Sequence, residues 1–219
     1  MSKVKIKEIF ASIQGEGPYV GYKQLFIRFC NCNLKCNYCD TDFADGKEYD
    51  PCELADEVNK YSDVHSISLT GGEPLLQVDF LKDFLPRVNK KIYLETNATL
   101  ADRFNEVKSF IDIVSADIKL ESATGIKDIY KFHDKFFEAC RGVETFAKIV
   151  FNDRVTDEEI EKCCELGKKY GIELILQPEM ATNGMTVTSE YAADVLDKFL
   201  SKYGKVRLIP QVHKFLDVR

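Results

Sequence analysis

Three thiols within a short run are the part of this sequence best equipped for chemistry. Cys32, Cys36 and Cys39 have a C-x3-C-x2-C spacing. Three thiolates can ligate three irons of a four-iron cluster and leave the fourth iron open to an outside ligand, as an open position separates catalytic from structural zinc. The run follows a β-branched and aromatic stretch, so it is read as a loop at the end of a strand. Cys30 offers a fourth thiol, and a four-thiolate zinc knob is the competing reading, although C-x-C-x3-C-x2-C is an awkward spacing for tetrahedral zinc. Cys52, Cys140, Cys163 and Cys164 are dispersed through segments of helical period and are expected to be core or surface thiols.

More polar groups fall where other strands should end. Thr70-Gly71-Gly72-Glu73-Pro74 follows one run, Glu95, Thr96 and Asn97 close another, and Asp117 and Lys119 a third. Gln177-Pro178-Glu179, and then Gln211 and His213, follow the last two. Ligands of parallel α/β folds gather at the carboxyl ends of the strands, so these groups should share one rim. Taken alone, Gly71-Gly72-Glu73-Pro74 is a tight turn whose Pro74 opens a helix, with Glu73 favourable to the helix dipole. Gln14-Gly15-Glu16-Gly17 alone is likewise a turn.

The elements that must position this rim alternate. Strands are expected near 4–10, 25–29, 66–70, 92–96, 113–118, 146–151, 172–177 and 206–210, with helices near 51–61, 77–89, 101–110, 126–140, 156–170 and 189–203. The helix at 156–170 opens on a capping box, Thr156 with Glu159, and turns Ile160, Cys163, Cys164 and Leu166 to one side. This βα repeat implies a parallel sheet covered by helices, either barrel-like or doubly wound. Six helices fall short of the eight units of a full barrel, so an open, partial (β/α)6-type barrel fits best. No linker or repeat divides the chain, and residues 1–219 are read as a single domain.

Composition sets limits. Hydrophobic residues at 45% and charged residues at 30% describe an ordinary folded chain. The longest stretch without Asp, Glu, Lys or Arg is the ten residues Met180 to Ser189, short of the ~20 a membrane span needs. Net charge is −6 and the basic residues are scattered, which argues against nucleic acid as a partner. The start of the chain lacks the pattern of a secretion signal, and a cytoplasmic location is expected.

The cysteine loop, with Tyr38 before its last cysteine and Gly71-Gly72-Glu73-Pro74 downstream, resembles the radical S-adenosylmethionine (SAM) superfamily. Within it, Glu8 to Gly17, Arg28 to Leu34, Cys39 to Phe43, Thr70 to Pro74, Glu95 to Asn97, Leu176-Gln177-Pro178 and His213 to Leu216 resemble the 7-carboxy-7-deazaguanine synthase family. The resemblance spans nearly the whole chain and implies a partial barrel with a modified N-terminal segment. It implies a [4Fe-4S] cluster on Cys32, Cys36 and Cys39, with SAM on the fourth iron. The implied activity is that of a carbon-nitrogen lyase of queuosine and 7-deazapurine biosynthesis, which converts 6-carboxy-5,6,7,8-tetrahydropterin to 7-carboxy-7-deazaguanine with loss of ammonia.

Residue roles follow from the same resemblance. SAM falls to Tyr38, Cys39, Asp40, Gly72, Asp117, Lys119, Gln177, Pro178, Glu179 and Met180. The pterin falls to Ile13, Gln14, Gly15, Glu16, Arg28, Thr70 and His213, and to the terminal carboxylate of Arg219. Thr41 is the expected Mg2+ ligand, completed by substrate and water. A reduced pterin carries a donor-rich edge and a carboxylate, which suits Gln14, Glu16 and Arg28 chemically. His65 and His133 are expected to be uninvolved. The implied partners are an electron donor such as flavodoxin or ferredoxin and a second copy of the chain in a homodimer. Asn31 stands where many relatives carry Gly, and it is the side chain that best tolerates a left-handed backbone. Rival readings are an activase of glycyl-radical enzymes, which would lack the Gln14 to Glu16 segment and His213, and a non-catalytic zinc or iron-sulfur module.

Overall fold

The structure, a computed structural model, describes residues 2–37, 39, 45–181 and 184–218. In chain order the elements are β1 (Val4–Ile13), β2 (Lys23–Phe29), β3 (Lys47–Tyr49), α1 (Pro51–Val58), β4 (Ser66–Gly71), α2 (Val78–Phe84), β5 (Lys91–Thr96) and α3 (Ala101–Val107). They continue with β6 (Ile113–Asp117), α4 (Glu121–Thr124), α5 (Tyr130–Ala139), β7 (Glu144–Phe151), α6 (Asp157–Tyr170) and β8 (Glu173–Pro178). The last are β9 (Met180–Ala181), β10 (Gly184–Met185), α7 (Ser189–Leu200), β11 (Val206–Leu208) and α8 (Val212–Leu216).

Among the described residues, nine strands form one sheet in the order β11-β8-β7-β6-β5-β4-β2-β1-β3. From β2 to β11 all pairings are parallel, while β1 and β3 are added antiparallel at one edge. Strand order never reverses along the parallel part, so every crossover steps the same way. A doubly wound sheet needs a reversal; this order is that of a barrel left open between β3 and β11. The long antiparallel β1, preceding the first βα unit, is the modified N-terminal segment.

The side of each strand facing the helices is mostly apolar. Leu25, Ile27, Phe29, Leu69, Leu94, Val114, Ile149 and Leu176 pack in one cluster with Leu54, Phe80, Phe104, Phe136, Ile160 and Val195 of the helices. Each such side chain contributes about 1.5–3 kcal/mol when fully buried, and this layer holds the strand ends in place.

The opposite side of the strands changes character along their length. Near the amino ends, Tyr93, Ile113, Phe146 and Ile175 form a second apolar cluster, joined by Tyr19 and Ile209. Two residues further on come Glu95, Ser115, Lys148 and Gln177, all in the same facing positions. The barrel is thus plugged with hydrocarbon at one end and lined with charge at the other.

Expected strands and helices are present, with shifted ends and several additions. Thr156 Oγ1 accepts from the Glu159 backbone N–H while Glu159 accepts from the Thr156 N–H, so the capping box starts α6 as the sequence requires. Asn31 has φ 71, the left-handed backbone anticipated for it. Sequence reading omitted β3, the β9–β10 hairpin, and the short α4 and α8, all of them five residues or fewer. Elements this short carry too few side chains to display a period. Among the described residues no helix is long and apolar enough to cross a membrane.

Candidate active site

A cavity of 970 Å³ opens at the carboxyl ends of the parallel strands. Its wall includes Cys32, Cys36 and Cys39 on one side, Glu16, Gln211 and His213 on another, and Arg28, Thr70, Glu95, Asp117, Lys148 and Gln177 along the strand ends. Gly72, Lys119, Glu179 and Met180 also reach it.

The cysteine loop is fastened to its neighbours by short polar contacts. Asn97 Nδ2 donates to Asn33 Oδ1 at 2.8 Å and approaches Cys32 Sγ at 3.8 Å. Asn33 in turn donates to Thr99, and the Asn37 backbone N–H donates to Thr124 O. The Glu73 backbone N–H donates to Asn31 O at 2.9 Å. A side chain at Gly72 would overlap that same Asn31 carbonyl, so the glycine is what lets the two loops touch.

Glu73 is fully buried and lies outside the cavity wall. Its carboxylate accepts from the backbone N–H groups of Leu75 and Asn97 and from Thr96 Oγ1. Burial pushes its pKa up to about 7, against the pull of those hydrogen bonds. It is a brace that joins the Gly-Gly turn to the end of β5.

Burial also pushes the thiols of Cys32 and Cys36 up, so both are protonated until a metal replaces the proton. Among the described residues, no three His, Cys, Asp or Glu side chains stand gathered at metal-ligand spacing. Cys32, Cys36 and Cys39 share one cavity wall. The donor set, three soft thiolates beside backbone amides, fits iron-sulfur chemistry.

The floor of the cavity is a buried charge cluster organised by Lys148, which is 5% exposed. Its ammonium pairs with Glu16, stands 3.3 Å from Asp117 Oδ1 and 4.0 Å from Glu95 Oε2. Burial works against this charge, but Asp117, Glu16 and Glu95 outweigh it and hold the lysine well above its ordinary pKa. Glu16 shows the reverse: burial favours its acid form, yet Lys148 and the Gln211 amide bring it down to about 2. Asp117 is lowered despite burial, by Lys119 at 2.9 Å and by Lys148.

Around this cluster the neutral polar groups are largely committed. Gln14 donates to Gln24 and to Glu95, and accepts from the Glu16 backbone N–H. Ser68 and Thr70 donate to the two oxygens of Glu95. Gln177 Oε1 is buried with no hydrogen-bond partner among the described residues, an acceptor left for a ligand.

The residues expected from the sequence divide into three groups. Cys32, Cys36, Cys39, Gly72, Asp117, Lys119, Gln177, Glu179, Met180, Glu16, Arg28, Thr70 and His213 line the one cavity. Ile13, Gln14, Gly15 and Pro178 do not: Ile13 ends β1 paired to Lys23, Gln14 is spent on bonds within the protein, and Gly15 packs against His213. Pro178 ends β8, buried at the sheet's edge of the loop. Tyr38, Asp40, Thr41 and Arg219 lie outside the described residues.

Arg28 donates from Nε to Glu8 at 2.7 Å with its guanidinium over the Phe10 ring, so one edge is occupied before any ligand arrives. His133, expected to be uninvolved, is buried and joins two cavity loops. Its Nε2 accepts the Lys119 backbone N–H at 3.1 Å, which leaves the proton on Nδ1 to go to Ala98 O at 3.2 Å. Burial lowers this histidine to about 4, so it stays neutral.

Lys148 was missed outright. It sits within Thr145-Phe146-Ala147-Lys148-Ile149-Val150, and the available signal was its position two residues after Phe146 in a strand buried on both faces.

A sheet order without reversal, six crossovers and three thiols at the mouth define a class. Residues 26–176 match the radical SAM superfamily, to which the chain belongs. Superfamily membership brings a [4Fe-4S] cluster and SAM as its cofactors. Over 99% of its length the chain is 34% identical to 7-carboxy-7-deazaguanine synthase of Geobacter sulfurreducens, covering 99% of that protein. It is 35% identical to the synthase of Archaeoglobus fulgidus, covering 99% of this chain and 100% of that one. Within the superfamily the chain therefore belongs to the 7-carboxy-7-deazaguanine synthase family. The crystal structure of QueE from Escherichia coli shares the fold with TM-score 0.65 at 18% identity, over 96% of this chain and 95% of that one. A radical SAM methyltransferase from Sphaerobacter thermophilus shares it with TM-score 0.61 at 12% identity, over 93% and 77%.

Proposed function

We infer that this chain is a lyase that converts 6-carboxy-5,6,7,8-tetrahydropterin to 7-carboxy-7-deazaguanine with loss of ammonia, in the biosynthesis of queuosine and other 7-deazapurines. The observation that carries this reading is full-length similarity to synthases of that name, in a chain whose cavity joins three thiols to a charged floor.

When bound, the cluster and SAM would supply radical chemistry, the abstraction of a hydrogen atom from the substrate. Cys32, Cys36 and Cys39 would hold the cluster at the mouth. Asp117 and Lys119, an ion pair at the end of β6, would meet the ribose and carboxylate of SAM, and Gln177, Glu179 and Met180 its adenine. The unpaired Gln177 Oε1 supports this, since an amino group would satisfy it. Gly72, Pro178, Tyr38 and Asp40 complete the SAM set by family resemblance.

Opposite these, the carboxylate of Glu16 presents acceptors to the donor edge of the pterin, and Arg28 offers its free guanidinium edge to the carboxylate. Thr70 and His213 flank the ring, while Ile13, Gln14 and Gly15 shape the turn that carries Glu16. Thr41 would contribute one oxygen to Mg2+ and Arg219 its terminal carboxylate to the ring. The apolar plug below keeps water from entering from the other end of the barrel. We further propose a cytoplasmic enzyme that receives electrons from a flavodoxin or ferredoxin and works as a homodimer; β3 and β11, each with a single strand neighbour among the described residues, support association.

Anaerobic incubation of reconstituted protein with SAM, reductant, Mg2+ and the carboxytetrahydropterin tests this. Formation of 7-carboxy-7-deazaguanine and ammonia is expected. Recovery of unchanged pterin from protein with a full cluster would contradict it.

A further inference from the structure

The pterin reading of the cavity, on which this inference rests, leaves the buried Lys148 without an assigned role. Its ammonium hydrogen-bonds to Glu16 on the turn after β1 and stands 3.3 Å from Asp117 on β6 and 4.0 Å from Glu95 on β5. Three carboxylates surround it, and it acts on them as a buried charge.

Glu16 is the neighbour most tightly defined. Lys148 takes one oxygen and Gln211 Nε2 donates to the other at 2.6 Å. Its backbone is fixed as well. The Glu16 N–H donates to Gln14 Oε1, and the Val212 N–H donates to Gly15 O at 2.9 Å. A side chain at Gly15 would overlap His213, so the turn and the C-terminal segment are in direct contact. Each carboxylate oxygen accepts two hydrogen bonds, so one acceptor position on each remains for the cavity that Glu16 lines. The groups that face Glu16 are Lys148, Gln211 and His213, with Asp117 and Glu95 beyond the lysine.

We propose that Lys148 is the positioning residue that fixes Glu16 as a pure acceptor, and that it thereby sets selectivity for a ring edge of amino and N–H donors over one bearing a carbonyl there. Protonated Glu16 would donate, and would accommodate the carbonyl. Burial alone favours that acid form, and the ammonium of Lys148 excludes it.

The test compares wild type, Lys148→Met and Lys148→Arg. Steady-state kinetics on the carboxytetrahydropterin give KM and kcat, and fluorescence titration of the reconstituted protein with SAM gives affinities for 6-carboxypterin and 6-carboxylumazine, which differ only at that edge. Carboxyl 13C NMR of Glu16 reads its protonation without any ligand. For Lys148→Met we expect KM to rise by about tenfold or more with a smaller change in kcat. The preference for pterin over lumazine should shrink, and Glu16 should titrate at higher pH than in wild type. Lys148→Arg keeps the charge and should preserve both the preference and ionised Glu16, with a KM increase of a few-fold. Unchanged KM and preference in both variants would overturn the proposal, as would Glu16 that stays ionised without Lys148. If Lys148→Met does not fold, loss of the pterin preference in Lys148→Arg overturns it. Wild type that binds neither pterin nor lumazine removes the substrate reading, while the Glu16 titration still decides whether Lys148 holds the carboxylate.

Discussion

The two ends of this barrel are built from the same strands, two residues apart, and share almost no chemistry. Phe146 and Ile113 close the amino end with hydrocarbon, while Lys148 and Ser115, next in the same facing positions, begin the charged end. Both rest on one outer layer of Leu, Ile and Phe packed beneath the helices. The comparison separates two jobs. The plug contributes free energy of folding, and the charged end spends part of it to keep three carboxylates and an ammonium out of water.

Cutting the cysteine loop should separate these jobs most sharply. Cys32→Ala is expected to abolish 5′-deoxyadenosine formation and cluster iron while shifting the thermal midpoint by only a few degrees. Its thiol is half-buried at the mouth, away from the plug. Iron content and calorimetry on the same sample check this; a large loss of stability would mean the loop supports the fold.

Phe146→Ala attacks the other end. It empties a site that is 4% exposed and should cost about 3–5 kcal/mol in urea unfolding. The KM of the folded fraction should change little, and a large KM rise would show that the two ends are coupled.

Acid should also tell the ends apart, because the buried carboxylates of Glu73 and Glu16 lie at the upper one. Glu73, raised from 4.5 to about 7, binds a proton more readily when folded, so stability from this group falls as pH rises from 4.5 through 7. Glu16, lowered to about 2, contributes above 4.5, and that contribution is lost as pH falls towards 2. His133, lowered from 6.5 to about 4, contributes above 6.5 and opposes Glu73 as pH falls through that window. Urea unfolding of the wild type should therefore be nearly flat from about pH 7 to about pH 4.5 and should lose stability at lower pH. Glu73→Gln should remove the Glu73 contribution, on the order of 3 kcal/mol, and expose a loss of stability from about pH 6.5 downward that the wild type lacks. A variant that keeps the flat profile would show that Glu73 does not supply the opposing slope.

The smallest effect belongs to Cys30, a buried thiol just after β2. Cys30→Ala should keep full iron and activity and cost about 1 kcal/mol. Loss of iron in this variant would place a fourth thiolate on the cluster.

Much of the upper end was legible because its residues follow strands in short, recognisable runs. The cysteine spacing, Gly71-Gly72-Glu73-Pro74 and Gln177-Pro178-Glu179 each declare themselves within a few positions. The parallel βα order was equally plain, and the absence of a reversal then distinguished barrel from doubly wound sheet only in the structure. Lys148 was not legible, because its meaning comes from Glu16, 132 residues away, and from the far ends of two other strands. The part His133 plays was not legible for the same reason: a lone histidine on a helix gives no sign that its ring joins Lys119 to Ala98. Glu73 was read as a helix-dipole acid, and its larger part, holding Thr96 and Asn97, depends on the packing of β4 beside β5. Local pattern reveals what a loop carries, and pairing across the barrel reveals what holds it.

The central claim is that the charged end of the barrel presents a reduced pterin to radical chemistry set up by the three thiols. Its most direct test uses reconstituted protein with SAM, reductant, Mg2+ and carboxytetrahydropterin deuterated on its reduced ring carbons, followed by mass analysis of the 5′-deoxyadenosine. The account predicts 5′-deoxyadenosine that has gained deuterium, formed only with the pterin present. Unlabelled 5′-deoxyadenosine, produced equally with and without the pterin, would contradict it.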